Sequence, residues 1–381
     1  MITVESKLPK VGTTIFTVMS QLAHQQQAIN LSQGFPNFDC APALKKLVHQ
    51  AMLEGKNQYA PMTGVAKLRH ALAEKANRLY GANLDPDQEI TITAGATQAL
   101  FTAISAFVRP GDEVILVEPA YDSYGPAVEV NGGVVVPYEL EGPDYRVDWE
   151  KLGQLVTAKT RMLVVNTPHN PTGQVFSEAD FTALKNILSG TNIILLCDEV
   201  YEHLVYNGHA HRSVVGDPEL FARSIATYSF GKTFHNTGWK CGYAAGPAHL
   251  MAEFRKVHQF NVFSVNTPVQ YALGDYLKDP EVYEYLGPFF QKKRDLFLEL
   301  IEGTGLHPIP CQGTYFQLVD YSAVSDLKEV DFARWLTTEI GVAAIPVSVF
   351  YTNQVENKVV RFCFAKTDDV LEAAGKRLRT L

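Results

Sequence analysis

Leu44, Leu47, Val48 and Ala51 follow the i, i+3, i+4, i+7 spacing of one helix face, and Leu68, Leu72 and Ala76 recur at steps of four, so helices are expected over both stretches. From residue 90 the period changes. Short apolar runs of strand length occur at 90–93 (ITIT), 114–117 (VILV), 134–136 (VVV), 162–166 (MLVVN), 193–197 (IILLC), 225–230 (IATYSF) and 241–246 (CGYAAG). Several are near-continuous rather than alternating, which is how strands covered on both faces of a parallel sheet read. Helix-length stretches such as 96–108 and 177–188 lie between them, the second opening with Ser177 as an N-cap ahead of Glu178 and Asp180. The alternation predicts a large α/β domain over residues 41–275, with a mainly parallel sheet flanked by helices. After that a charged helical stretch (291–302), short strands at 314–320 and 359–365 and a helical tail predict a smaller α+β domain, 276–381, joined by the N-terminal segment 1–40.

Composition narrows the class. The chain has 381 residues, 46 % of them hydrophobic and 19 % charged, enough for a sizeable core and unlike a disordered chain. The formal charge of −8 argues against general nucleic-acid or anionic-membrane binding. No apolar run has the length of a spanning helix, and the first residues lack a secretory pattern. Cys40, Cys197, Cys241, Cys311 and Cys363 are odd in number and far apart, so neither a disulfide framework nor a metal site is expected, and a cytoplasmic setting is. His209 and His211 read as part of a solvated loop, and Lys292, Lys293 and Arg294 as a solvated helix face.

In an open parallel sheet, ligands gather beyond the carboxyl ends of the strands, so the residues that follow each apolar run are the candidates. After 90–93 come Gly95 and Ala96 at a helix start, whose amides suit a phosphate, although taken alone an ordinary strand–helix turn is the commoner reading. After 162–166 a rigid turn of two prolines and a glycine holds Asn170, itself a common turn residue. Asp198 directly follows five apolar residues; burial of an unpaired acid is costly, so it calls for a cation, from a side chain or from a protonated ring nitrogen. Lys232 follows an apolar strand and a glycine, a setting that lowers an amine pKa and makes it nucleophilic; Lys240 adds a second positive charge nearby, and both could instead reach solvent. Arg361 lies within an apolar strand and invites a bidentate carboxylate, internal or from a substrate. One ligand accounts for all five signals: pyridoxal 5′-phosphate handling an amino acid.

The blocks at 31–39 (LSQGFPNFD), 57–69 (NQYAPMTGVAKLR), 94–100 (AGATQAL), 167–173 (TPHNPTG), 197–206 (CDEVYEHLVY), 229–243 (SFGKTFHNTGWKCGY) and 361–366 (RFCFAK) carry a resemblance over nearly the whole chain. The sequence resembles the class I, fold type I aminotransferases, and within them the methionine and kynurenine aminotransferase branch, which shares lysine at the position of Lys240. The resemblance implies that Lys232 forms the imine to the cofactor aldehyde and later shuttles the proton, and that Asp198 keeps the pyridine nitrogen protonated. It implies further that Tyr201 and Asn170 bond the phenolic oxygen and that Tyr121 stacks on the ring. Ala96, Thr97, Ser229 and Lys240 are implied to clamp the phosphate, with Tyr59 reaching it from the partner of an obligate homodimer. Arg361, helped by Asn170 and Gly34, is implied to bind the substrate carboxylate. The expected activity is ping-pong transfer of an amino group from a neutral hydrophobic amino acid to a 2-oxo acid. The alternatives are a cysteine-conjugate β-lyase on the same cofactor and a non-catalytic cofactor-binding regulator.

Overall fold

A computed structural model describes residues 2–381. Its strands are β1 (Ile29–Asn30), β2 (Ile90–Thr93), β3 (Glu113–Glu118), β4 (Val134–Glu139), β5 (Thr160–Asn166), β6 (Ile194–Asp198), β7 (Ser224–Ser229), β8 (Gly242–Ala245), β9 (His307–Pro308), β10 (Phe316–Asp320), β11 (Val342–Ala343), β12 (Ile345–Pro346) and β13 (Val359–Cys363). The central sheet has seven strands in the order β2-β8-β7-β6-β5-β3-β4. The five strands from β7 to β4 run parallel, while β8 is antiparallel to both of its neighbours.

The near-continuous apolar runs have a direct explanation, because successive side chains on a strand enter opposite cores. Met162, Val164, Ile194, Leu196 and Ile225 pack on one face with Leu100 and Ile104. Leu163, Val165, Leu195, Cys197 and Ala226 pack on the other, in the larger cluster that continues into the C-terminal region. Four N-terminal helices have the ranges α1 (Ile15–Gln25), α2 (Pro42–Leu53), α3 (Ala66–Tyr80) and α4 (Ala96–Phe107). α4 lies on β6, β7 and β8, and the helix Glu178–Leu188 begins with a full capping box between Ser177 and Asp180.

A second, antiparallel sheet of four strands, β12-β13-β10-β9, follows in sequence, and β1 pairs in parallel with β11, tying the N-terminal segment to the C-terminal part. The tail helix Asp368–Leu378 packs on the helix Leu286–Ile301. Among the described residues no helix is long and apolar enough to cross a membrane, and all five cysteines are buried thiols.

Four local expectations need correction. The 225–230 run stops at Ser229, and Phe230–Thr233 turns helically. The 314–320 run becomes a strand only at Phe316. Lys293 and Arg294 are buried at 8 % and 6 % exposure, since Lys293 pairs with Asp368 on the tail helix (2.9 Å) and Arg294 donates to the Cys311 carbonyl and to Asn207 (2.9 Å each); only Lys292 faces water. His211 is not solvated either: its ring is buried with Nε2 3.2 Å from the Glu199 carboxylate.

Candidate active site

The carboxyl ends of β5, β6 and β7 converge because their registers align Asn166 with Asp198 and Asp198 with Thr227. Beyond them lies a cavity of about 250 Å³. Ala96, Thr97, Tyr121, Asn170, Asp198, Tyr201, Ser229, Lys232 and Lys240 line it. Gly34 and Arg361 reach it from the N- and C-terminal segments. Eleven of the twelve residues singled out from the sequence thus meet in one place. The twelfth, Tyr59, does not. It is 81 % exposed, with its ring edge-on to Phe263.

The end of the cavity at the start of α4 presents backbone amides. α4 starts at Ala96 with no side-chain cap and no acid in its first turn, so its leading amides stay available and its positive dipole end is uncompensated. Gly95 precedes it at φ +81°, and a Cβ there would stand 3.6 Å from the Lys240 ammonium. That distance is an ordinary contact, so glycine is favoured there by the positive φ rather than by lack of space.

Asp198 ends β6 at 4 % exposure. Its Oδ2 accepts from the Tyr124 hydroxyl at 2.6 Å and its Oδ1 from the Val200 amide at 3.3 Å. Burial pushes its pKa up to about 6, with the Tyr124 bond opposing the rise. Among the described residues it forms no ion pair, although it faces the cavity. A buried carboxylate without a cation is suited to a protonated heterocycle.

Lys232 sits on the turn after β7. Its Nζ donates to the Gly34 carbonyl (3.1 Å) and the Tyr315 hydroxyl (2.9 Å). Burial pushes its pKa down to about 8, leaving a sizeable neutral, nucleophilic fraction near neutral pH. A Cβ on Gly231 would come within 2.9 Å of the Thr237 backbone, so this glycine lets the lysine turn pack on the segment leading to Lys240.

Arg361, on β13, is 1 % exposed. Its Nη1 donates to Asn170 Oδ1 (2.9 Å), its Nη2 to the Ser32 carbonyl (3.4 Å), and its buried Nε has no partner among the described residues. The guanidinium lies 3.9 Å from the centre of the Phe316 ring and 5.4 Å from each of Phe16 and Phe350. Burial lowers its pKa, but a guanidinium stays charged. With no carboxylate paired to it among the described residues, Arg361 is a desolvated cation awaiting an anion.

Three functional neighbours escaped the sequence reading. Tyr124 holds Asp198, and Asn166 links the site, accepting from the Asn170 amide (2.6 Å) and donating to the Asp198 carbonyl (2.7 Å). Tyr315 reaches Lys232 and also donates to the Gly34 carbonyl at 2.6 Å. Asn166 closes the 162–166 run already singled out, four residues before Asn170, and Tyr124 lies three residues after Tyr121. Tyr315 gave no signal beyond a tyrosine in an apolar run.

The model for aminotransferases of class I and II matches residues 26–378. The methionine aminotransferase of Escherichia coli K12 is 52 % identical over 99 % of this chain and 98 % of that protein. A kynurenine–oxoglutarate transaminase of Dictyostelium discoideum is 34 % identical over 97 % of this chain and 94 % of its own length. Among solved structures, an E. coli protein whose structure and reactivity identify a methionine aminotransferase function superposes with a TM-score of 0.98, at 52 % identity and 100 % coverage of both chains. The aspartate aminotransferase of Thermus thermophilus with maleate gives 0.91 at 31 % identity, also with 100 % coverage of both. Buried Lys232 and Asp198, the open start of α4 and the unpaired Arg361 are thus framed by a fold and a sequence of one kind, and the chain belongs to the class I aminotransferases.

Proposed function

We propose that this aminotransferase uses pyridoxal 5′-phosphate to move the amino group of methionine and other neutral, hydrophobic amino acids to a 2-oxo acid. The observation that carries the reading is one cavity lined by a buried amine of lowered pKa, a buried carboxylate without a cation, and a helix start with a lysine beside it. These are the three groups a phosphorylated pyridine aldehyde needs, so the residues fit it. Ala96, Thr97, Ser229 and Lys240 would hold the phosphate, Tyr121 the ring face, Asn170 and Tyr201 the phenolic oxygen, Asp198 the ring nitrogen and Lys232 the aldehyde carbon. When bound, the cofactor supplies an electron sink for the pair released at the substrate Cα.

The protein's own groups do the rest. Arg361 receives the substrate carboxylate through its free N–H donors, with Asn170 fixing the plane of the guanidinium. The Lys232 amine, once free, takes the proton from Cα and later returns it, a task suited to a base titrating near the operating pH. Asp198, kept in place by Tyr124, holds the proton on the ring nitrogen. Amino acid enters and 2-oxo acid leaves the same cavity before the second substrate binds, which gives ping-pong kinetics.

The substrate preference rests on the aromatic surroundings of Arg361, on the absence of a second arginine from the cavity lining, and on the 52 % identical relative. The relatives named above are aminotransferases, which favours transfer over β-lyase chemistry or a regulatory role. Exposed Tyr59 and its neighbour Phe263 support a homodimer in which Tyr59 reaches the partner's phosphate site. We read residues 41–275 as the large domain, 1–40 with 276–381 as the small one, and the cytoplasm as the setting. The test is a substrate panel on the purified holoenzyme with several 2-oxo acids. Methionine, phenylalanine and leucine should exceed aspartate in kcat/KM by about tenfold or more, as expected when a second carboxylate meets no cation; a preference for aspartate overturns the proposal.

A further inference from the structure

This inference rests on Lys232 as the proton carrier. An amine that removes a proton must present its lone pair to the bond it breaks. The Lys232 Nζ has two partners, the Gly34 carbonyl at 3.1 Å and the Tyr315 hydroxyl at 2.9 Å. The single proton of Tyr315 is committed to the Gly34 carbonyl at 2.6 Å, so toward Lys232 its oxygen acts as an acceptor. Burial holds the Tyr315 pKa well above the ordinary phenol value, which keeps that proton in place. A neutral amine has two N–H bonds and one lone pair in a tetrahedral arrangement. With both N–H bonds donated to these two oxygens, the lone pair is directed away from them. Lys232 and Gly34 both line the cavity, Gly34 at its wall, and Tyr315 lies outside its lining.

Both acceptors are themselves held. Lys366 is 3 % exposed, forms no ion pair among the described residues, and donates to the carbonyls on either side of Gly34, Gln33 at 3.3 Å and Phe35 at 2.8 Å. On the other side, Thr314 takes a φ of +70°, costly for a β-branched residue. Its amide donates to the Leu204 carbonyl and its hydroxyl accepts from the Phe316 amide, which fixes the backbone carrying Tyr315.

We propose that the Gly34 carbonyl and the Tyr315 hydroxyl form a two-acceptor cradle that turns the lone pair of Lys232 into the cavity, and that Lys366 is the positioning residue that sets this cradle through the backbone of Gln33 and Phe35. The holoenzyme gives the first readout, as single turnovers with methionine and with α-deuterated methionine. Tyr315→Phe keeps the ring and should lower the single-turnover rate about tenfold, the usual scale for one hydrogen bond to a charged or reacting group. The apparent Kd for methionine should stay within about twofold and the deuterium isotope effect should rise, because only the α-proton transfer is slowed. Lys366→Met should reproduce this signature and Lys366→Arg should largely restore the rate. The second readout is the pH midpoint at which the Lys232 amine of the cofactor-free protein is acetylated by acetic anhydride, followed by peptide mass spectrometry. Losing an acceptor disfavours the ammonium, so Tyr315→Phe should lower this midpoint by roughly half to one unit. An unchanged rate and isotope effect, or an unmoved midpoint, in Tyr315→Phe overturns the cradle. Equal losses in Lys366→Met and Lys366→Arg, or a loss confined to Kd, overturn the positioning role. If the wild-type protein turned over no methionine, the proposed substrate would fall, while the acetylation midpoint would still decide the cradle.

Discussion

Replacing Arg361 by Met separates a binding charge from a structural one. The guanidinium carries five N–H donors, of which Nη1 gives one to Asn170 and Nη2 one to the Ser32 carbonyl, while Nε has no partner among the described residues. Two of the free donors suffice for a bidentate grip on a carboxylate. Each charge-assisted bond contributes about 1.5–3 kcal/mol, so losing both removes about 3–6 kcal/mol, or roughly 10²–10⁴-fold in kcat/KM for methionine. Stability should respond differently. The buried cation is unpaired, and methionine fills similar space without the desolvation cost, which offsets the donor that Asn170 loses. The melting temperature of Arg361→Met should therefore stay within about 4 °C of wild type. The assay compares methionine with 3-(methylthio)propylamine, which has the same side chain and no carboxylate. The variant should lose the preference for the amino acid and keep its weak activity on the amine. A fall of less than about tenfold for methionine, or an equal fall for both compounds, would refute the assignment of Arg361 to the substrate carboxylate.

Asp198→Asn should keep the Tyr124 contact in altered form and slow the methionine half-reaction by about 10–10³-fold, since an adjacent opposite charge shifts a pKa by about 1–3 units; stopped-flow absorbance checks this, and a near wild-type rate would contradict it. Lys75 and Glu202 form a fully buried pair at 2.5 Å, which holds the Glu202 pKa down at about 2 against the cost of burial. Lys75→Met leaves that carboxylate without its lysine, held by the Tyr80 hydroxyl at 2.6 Å, and should cost about 3–5 kcal/mol in urea unfolding, part of which Lys75→Met/Glu202→Leu should recover. The Lys232 pKa is lowered from 10.5 to about 8, so between those values the unfolded chain binds more protons than the folded one. The stability of the cofactor-free protein should accordingly rise with pH across that window. Relative to Lys232→Met the total rise is about 3 kcal/mol, and a flat difference would contradict the lowered value.

The central sheet was legible because its strands feed two cores: Leu195 and Leu196 are both buried on opposite faces, and such runs have few other readings. Asp198 was legible for the same reason, as an acid closing such a run. The antiparallel placement of β8 between β2 and β7 was not, because its four residues (GYAA) read the same in either direction. Charge misled at Lys293, Arg294 and His211, where partners distant in sequence or in an adjacent loop make burial tolerable. Tyr315 remained hidden because its role depends on a carbonyl 281 residues away, a contact that no local pattern encodes. Tyr59 drew attention through resemblance alone, and within one chain it touches Phe263 rather than the cavity.

The most direct measurement is reduction of the freshly purified holoenzyme with borohydride, followed by peptide mapping. One pyridoxyl-phosphate adduct is expected, on the peptide containing Lys232, and none after Lys232→Ala. An adduct on another lysine, or an unmodified Lys232 in a fully loaded protein, would contradict that expectation.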